Sequence, residues 1–351
     1  MQVSVLFPYR MKLDGSNGGG ANATLALLQE VAQHGHRVTV YIPDDMPRET
    51  VCNLIEFRWF VLSTEKIIVK DELFVFVLFD DKRALLAQFS LSKSTKRAIL
   101  YHNAVFDLTN KDLLRFYKKW PDVFFVVSQY PANLAMKLGI TPVCILHNGV
   151  APVFRSVVPK LRVALTPDFI FVGALVKEKG FLYLIPAFQR LMSHYPNARL
   201  KIIGSSSMWD REKPDFEVLE HENIEFLGEL TQDKIAPLYQ KSTFVVLPSE
   251  MEACPLSILD GMWFGCVPIV SNRGGLPEIV ENGKTGFVLP ELSTNALYEA
   301  FIKALSLSVV QYRAMQENII NSVAKSDWSQ AAATLELIKQ KTRGLSCLWL
   351  L

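Results

Sequence analysis

The densest cluster of residues able to do chemistry runs from Pro248 to Gly265, PSEMEACPLSILDGMWFG. An apolar run, FVVL, ends at Pro248, and two acids, Glu250 and Glu252, follow it. Pro255 then suits the first turn of a helix carrying Leu256, Leu259 and Asp260. Acids just past the carboxyl end of a parallel strand sit where open α/β sheets bind ligands. Backbone amides near Leu256 and Ser257, without acceptors at a helix start, would hold phosphate oxygens. Asp260, one helical turn further, would accept hydrogen bonds from a sugar diol. Each acid taken singly also reads as an ordinary helix-start charge, so the arrangement carries the argument.

Four other places qualify. Gly173 to Gly180, GALVKEKG, follows an apolar run and opens a helix. Lys177 and Lys179 there have no helix-dipole reason to be near an N-terminus; a bound diphosphate would explain them, and two solvated lysines are the alternative. Gly18, Gly19 and Gly20 precede a helix expected to begin near Asn22. They read either as a close backbone approach to a phosphate or sugar, or as a flexible loop. The spacing is not GxGxxG, which disfavours a dinucleotide oxidoreductase. His102 ends a strand, where it serves as a polar contact, an acid or base, or a structural ring; His147 in HNGV reads as structural. Ser271 to Gly286, SNRGGLPEIVENGKTG, supplies turns and Glu278, but its Lys284-Thr285 lacks P-loop spacing.

The elements that must position these residues follow from hydrophobic periodicity. Strands are expected at 3–7, 37–42, 73–79, 97–101 and 123–127, then at 169–172, 199–203, 224–226, 244–247 and 267–270. Helices are expected from Thr24 to His34 and from Phe181 to Ser193. Near-continuous apolar strands alternating with helices argue for parallel sheets covered on both faces. The 351 residues suit two domains. The break falls at Asn148–Pro152, and the stretch through Pro159 and Pro167 reads as a linker.

Composition sets limits. Half the residues are hydrophobic and 21% are charged, as in a folded globular protein. A net charge of +2 gives no case for nucleic acid as a partner. The five cysteines show no metal spacing and read as reduced thiols. No signal peptide and no apolar run of about 18 residues is read, so the expected location is cytoplasmic. Arg115 to Trp120, RFYKKW, mixes basic and aromatic residues. It reads either as a peripheral contact with an anionic inner membrane surface or as a solvated helix end with a packed tryptophan.

The run PSEMEACPLSILDGMWFGCVPIVSNRGGLPEIVENGKTGFVLP resembles the signature of the retaining glycosyltransferase family GT4, of GT-B fold. FVGALVKEKGFLYLIPAF, LKIIGSS, IEFLGEL and ILHNGVAPVF agree in order and spacing. The resemblance is strong from about 145 to 290 and weaker before it. It implies an α/β fold of two Rossmann-like domains with parallel sheets facing across a central cleft. Residues 1–150 would form the acceptor-side domain, completed by a C-terminal helix at about 326–351. Residues 151–325 would bind the nucleotide-sugar donor.

The same resemblance implies the site. The family's acid-x7-acid motif falls on Glu252, beside the donor sugar and its developing positive charge, and on Asp260, at the ribose hydroxyls. Asp260 stands where the family has Glu, and so reaches one methylene less. Lys179 keeps the family's diphosphate lysine, while its arginine position is Ala174; Lys177 is the candidate substitute. Gly19 and Gly20 match the N-domain glycine loop, and His102 a histidine near the donor sugar. Gly173 and Pro255, Leu256 and Ser257 would lie at the diphosphate, and Gly228 to Leu230 near the base. The implied activity is transfer of a sugar from a nucleoside-diphosphate donor to a glycan, lipid-linked or small-molecule acceptor, with retention. It needs no metal and no cofactor. Two other readings remain: a GT-B nucleotide-sugar epimerase, and a catalytically weak binding or assembly subunit.

Overall fold

The computed structural model describes residues 1–9, 18–44, 48–52, 54–78, 80–158, 164–205 and 221–340, with side chains through 336. They fall into two compact units. The first holds 1–9, 20–148 and 328–340; the second holds Gly18, Gly19 and 149–327.

The first unit carries β1 (Gln2–Leu6), β2 (Arg37–Pro43), β3 (Arg48–Cys52), β4 (Ile55–Phe60), β5 (Ile67–Val69), β6 (Leu73–Leu78), β7 (Phe89–Leu91), β8 (Lys96–Tyr101), β9 (Val123–Val126) and β10 (Val143–Ile145). Eight of them form one sheet in the order β10-β9-β8-β6-β1-β2-β4-β3, while β5 and β7 pair separately. Every pairing is parallel except β3 with β4. All six residues of β6, LFVFVL, are buried, as expected of a strand covered on both faces. The antiparallel β3–β4 hairpin is not legible in the apolar pattern: β3, RETVC, is an exposed edge strand with no face to bury.

Around this sheet lie α1 (Gly19–Gln33), α2 (Lys111–Lys119) and α3 (Gln129–Lys137). Helix α1 begins at Gly19, ahead of the expected Asn22, and buries Ala23, Ala26, Leu27, Leu28 and Val31. Near the end of α2, Trp120 meets Phe74 and Phe76 edge-on at 6.4 and 6.2 Å and stacks on Phe116 at 5.3 Å. The aromatic rings of RFYKKW are therefore engaged in packing over the sheet. Cys52, Cys254 and Cys266 are free thiols. Among the described residues no helix is long and apolar enough to cross a membrane.

The second unit carries α4 (Pro152–Arg155), β11 (Asp168–Val172), α5 (Phe181–Met192), β12 (Arg199–Ile203), β13 (Ile224–Phe226), α6 (Gln232–Lys241), β14 (Phe244–Leu247), α7 (Leu256–Trp263), β15 (Val267–Val270), α8 (Leu276–Ile279), β16 (Phe287–Val288), α9 (Thr294–Leu305) and α10 (Val309–Val323). Its strands are all parallel, in the order β13-β12-β11-β14-β15-β16. Counted along the chain this is the 3-2-1-4-5-6 order of a doubly wound sheet. The order reverses between β11 and β14, and the two richest loops, Gly173–Gly180 and Pro248–Pro255, leave the ends of those two strands.

Two local features fix the second loop. Gly261 lets α7 lie close on β14: a Cβ there would sit 2.9 Å from Val245 Cγ1. The stretch read as a linker holds α4, whose Phe154 is buried, and Trp263 Nε1 donates to the carbonyls of Phe154 (2.9 Å) and Val157 (3.1 Å). Val150, Ala151 and Phe154 are thus part of the second unit's core, with Val157 packed against it. The last helix among the described residues, α11 (Trp328–Gln340), counts with the first unit, where Glu336 hydrogen-bonds His36 Nε2 at 2.8 Å and His34 Nδ1 at 3.2 Å.

Candidate functional site

At the point where the second sheet reverses its order, two loops are locked together through backbone. Gly180 has φ +73°, and a Cβ on it would fall 1.8 Å from the Pro248 carbonyl oxygen. The Glu250 amide donates to the Glu178 carbonyl at 2.8 Å. This clamp brings together two side chains that are far apart in sequence. Lys179 Nζ donates to Glu252 Oε1 at 2.6 Å. The carboxylate is almost fully buried (9% exposed) while the lysine keeps 31% exposure. A buried carboxylate needs such partners, since an unpaired charge there would carry a large desolvation cost.

Glu252 is held from two more directions. Ser249 Oγ donates to the same Oε1 at 2.8 Å. The Glu252 carbonyl accepts from the Gly275 amide at 2.8 Å, next to Gly274, whose φ of +59° and lack of Cβ permit that approach. Beside this group α7 starts at Pro255 with no side-chain cap. The first-turn amides of Leu256 and Ser257 have no acceptor among the described residues. They are donors suited to an anion at a helix N-terminus. Lys177 is exposed in the same loop.

Asp260, expected at a ribose, lies one turn into α7. It is 6% exposed, and its Oδ1 accepts the Ala151 amide at 2.9 Å, tying α7 to the start of this unit. Burial pushes its carboxyl up to about 7, against the pull of that amide. An acid raised in the folded state stays protonated after the unfolded chain has ionised. Stability is therefore full below the ordinary carboxyl value of about 4 and falls, by about 1.4 kcal/mol per unit, as pH rises toward 7. Asp260→Asn keeps the acceptor for Ala151 and removes the titration. Urea midpoints at pH 4.5 and 7.5 are expected to differ less in the variant than in the parent; equal pH dependence would refute the assignment.

The remaining expected residues lie in separate places. Gly173 donates its amide to Ile203, and Leu175 donates to Ser205. Gly204 donates to Gly228, and a Cβ on Gly204 would lie 1.9 Å from the Gly173 carbonyl. The loops after β11, β12 and β13 are so knit together, with Gly228 (φ +65°) exposed and Leu230 packed against the core. In the first unit Gly20 accepts Thr24 Oγ1 at 2.9 Å, and that hydroxyl also meets His102 Nε2 at 2.9 Å. Burial holds the His102 ring down to about 4, so at neutral pH it is an uncharged polar group. With the Thr24 proton given to Gly20, the facing ring nitrogen is the donor. Gly19 opens α1, and among the described residues nothing lies within 4 Å of the place a Cβ on it would take.

Sequence reasoning missed Ser249, Ser271, Gly180 and Gly274 as site-builders. A serine or glycine in a strand-to-helix loop carries the same sequence signal as any turn.

The two doubly wound sheets are those of a GT-B fold, and solved structures agree. The chain matches sucrose-phosphate synthase from Thermosynechococcus elongatus at TM-score 0.74 and 17% identity, over 97% of this chain and 98% of that one. It matches an Anabaena protein, HepE, in complex with UDP-glucose at TM-score 0.70 and 16% identity, over 97% and 100% of the two chains. Residues 159–323 match the family model described as glycosyl transferases group 1. An uncharacterized glycosyltransferase of Methanocaldococcus jannaschii is 35% identical over 118 residues, 33% of this chain and 30% of the relative. The chain spans about a third of the length of the first curated relatives it matches.

Proposed function

We propose that this chain is a metal-independent glycosyltransferase that takes a sugar from a nucleoside-diphosphate donor held by its second unit. The observation that carries the reading is the Lys179–Glu252 pair at the sheet's reversal point, four residues before the first-turn amides of α7, which no side chain caps. A pyrophosphate placed there meets Lys179 Nζ and the Leu256 and Ser257 amides. When the bond from the anomeric carbon to the phosphate oxygen breaks, its electron pair passes to that oxygen. Preorganised donors stabilise such developing charge at little reorganisation cost. The sugar left behind is oxocarbenium-like, and the Glu252 carboxylate offsets its positive charge.

Retention of configuration and GT4 membership rest on the motif resemblance in 145–290, and a glycan acceptor on the named relatives. The UDP-glucose complex of the Anabaena protein supports including uridine donors among the first ligands to try. Two observations favour a second reading. Ala174 replaces the expected arginine and Asp260 is engaged with Ala151, which suits a weak binder with an assembly role.

A thermal-shift panel of UDP, GDP, ADP, CMP and dTDP with their sugars separates the two. One nucleoside diphosphate is expected to raise the melting point, since a ligand at about 100 times its Kd adds about 2.7 kcal/mol. No shift with any of them would favour the assembly subunit.

A further inference from the structure

The two oxygens of Glu252 are not equivalent. Oε1 takes both hydrogen bonds, from Lys179 at 2.6 Å and from Ser249 at 2.8 Å. Oε2 has no partner among the described residues, and it is not a sealed, unsatisfied atom either. Ser249 is fully buried, and its own carbonyl is pinned by Ser271 Oγ at 2.5 Å, also fully buried. Ser271, just past β15, thus fixes the backbone of Ser249, just past β14, and the Ser249 hydroxyl in turn holds one oxygen of the carboxylate.

The two donors on Oε1 differ in what a ligand does to them. Lys179 sits on a half-buried stem with 31% exposure, and an arriving pyrophosphate competes for its ammonium. Ser249 is out of reach of any ligand. We propose that Ser249 is a positioning residue for Glu252, whose hydroxyl keeps Oε1 anchored while Lys179 turns to phosphate, so that Oε2 is the oxygen offered to the sugar. This rests on the reading of Glu252 as the carboxylate that meets the donor, and it adds how that carboxylate is kept in place. A hydroxyl with no such role would be replaceable by any small side chain that fills the space.

The test uses the full chain with UDP-glucose, GDP-mannose and ADP-glucose as donors, water as acceptor, and nucleoside diphosphate release as the readout. Ser249→Ala is expected to lower kcat roughly ten- to a hundredfold, the value of a hydrogen bond to a charged group, with the donor KM unchanged. Ser249→Thr, which restores the hydroxyl, is expected to recover part of that loss. In a Glu252→Ala background, Ser249→Ala is expected to cost nothing further. A Ser249→Ala enzyme with parental kcat overturns the proposal. So does an equal loss in both backgrounds, or a loss tracked by a falling melting point and not rescued by threonine. Absence of release by the parent protein, together with no melting shift from any nucleotide or nucleotide sugar of the panel, would instead overturn the glycosyltransferase reading itself.

Discussion

Replacing Lys179 by alanine, or Glu252 by glutamine, is expected to cut sugar transfer by about 10²–10³-fold, the cost of losing one preorganised charge-stabilising group. The two lesions act differently. Without Lys179, one donor to the leaving pyrophosphate is gone and Glu252 keeps only Ser249 on Oε1. With glutamine at 252, both hydrogen bonds to that atom persist but the negative charge facing the sugar is lost. Lys179→Ala should therefore weaken donor binding as well as turnover, whereas Glu252→Gln should act mainly on kcat. Glu252→Gln should unfold near the parental temperature, because glutamine fills the carboxylate's space, whereas Lys179→Ala, which leaves the buried carboxylate with Ser249 alone, should melt lower and is assayed where it stays folded. Steady-state kinetics with melting curves on the same samples check this. Turnover within threefold of the parent in both variants would remove the mechanism.

The second large effect is structural. Gly180→Ala demands a left-handed backbone at φ +73° and places a methyl 1.8 Å from the Pro248 carbonyl oxygen. Left-handed backbone alone costs a non-glycine residue about 1–3 kcal/mol, and here backbone on the other loop must also move. Gly283 offers a control: its φ is +78°, but among the described residues nothing lies within 4 Å of the place an added methyl would take. Gly283→Ala is expected to lose only the conformational part. Gly180→Ala should lose more stability in urea, and at temperatures where it stays folded it should no longer show a nucleotide-induced melting shift. Equal losses in the two variants, with ligand binding intact, would mean that the clamp between the β11 and β14 loops does not build the site.

Much of the fold is legible in the residues alone. Runs such as FVVL and VPIV are apolar throughout because both faces of a parallel strand are covered, and each falls where β14 and β15 occur. What periodicity does not encode is strand order. Lys179 and Glu252 stand out separately, 73 residues apart, and only the reversal between β11 and β14 makes them partners. The β3–β4 hairpin is silent for the opposite reason: an exposed edge strand buries nothing and leaves no apolar trace.

The candidate site is legible as a set of residue types and less so as a set of contacts. Asp260 reads as a diol ligand from its place one turn into α7, and its burial and its hydrogen bond from the Ala151 amide, 109 residues away in sequence, leave no trace in the sequence. His102 reads as an acid, a base or a contact, and burial beside Thr24 leaves it uncharged near neutrality. Ser249 is indistinguishable from an ordinary turn serine until its hydroxyl is seen on Glu252.

The central claim is that a pyrophosphate lies between Lys179 and the start of α7. The most direct measurement is a crystal structure of the protein with whichever nucleoside diphosphate raises its melting point most. Phosphate oxygens within about 3.2 Å of Lys179 Nζ and of the Leu256 and Ser257 amides are the predicted result. A diphosphate bound elsewhere, with the Lys179–Glu252 pair and those amides untouched, would contradict the account.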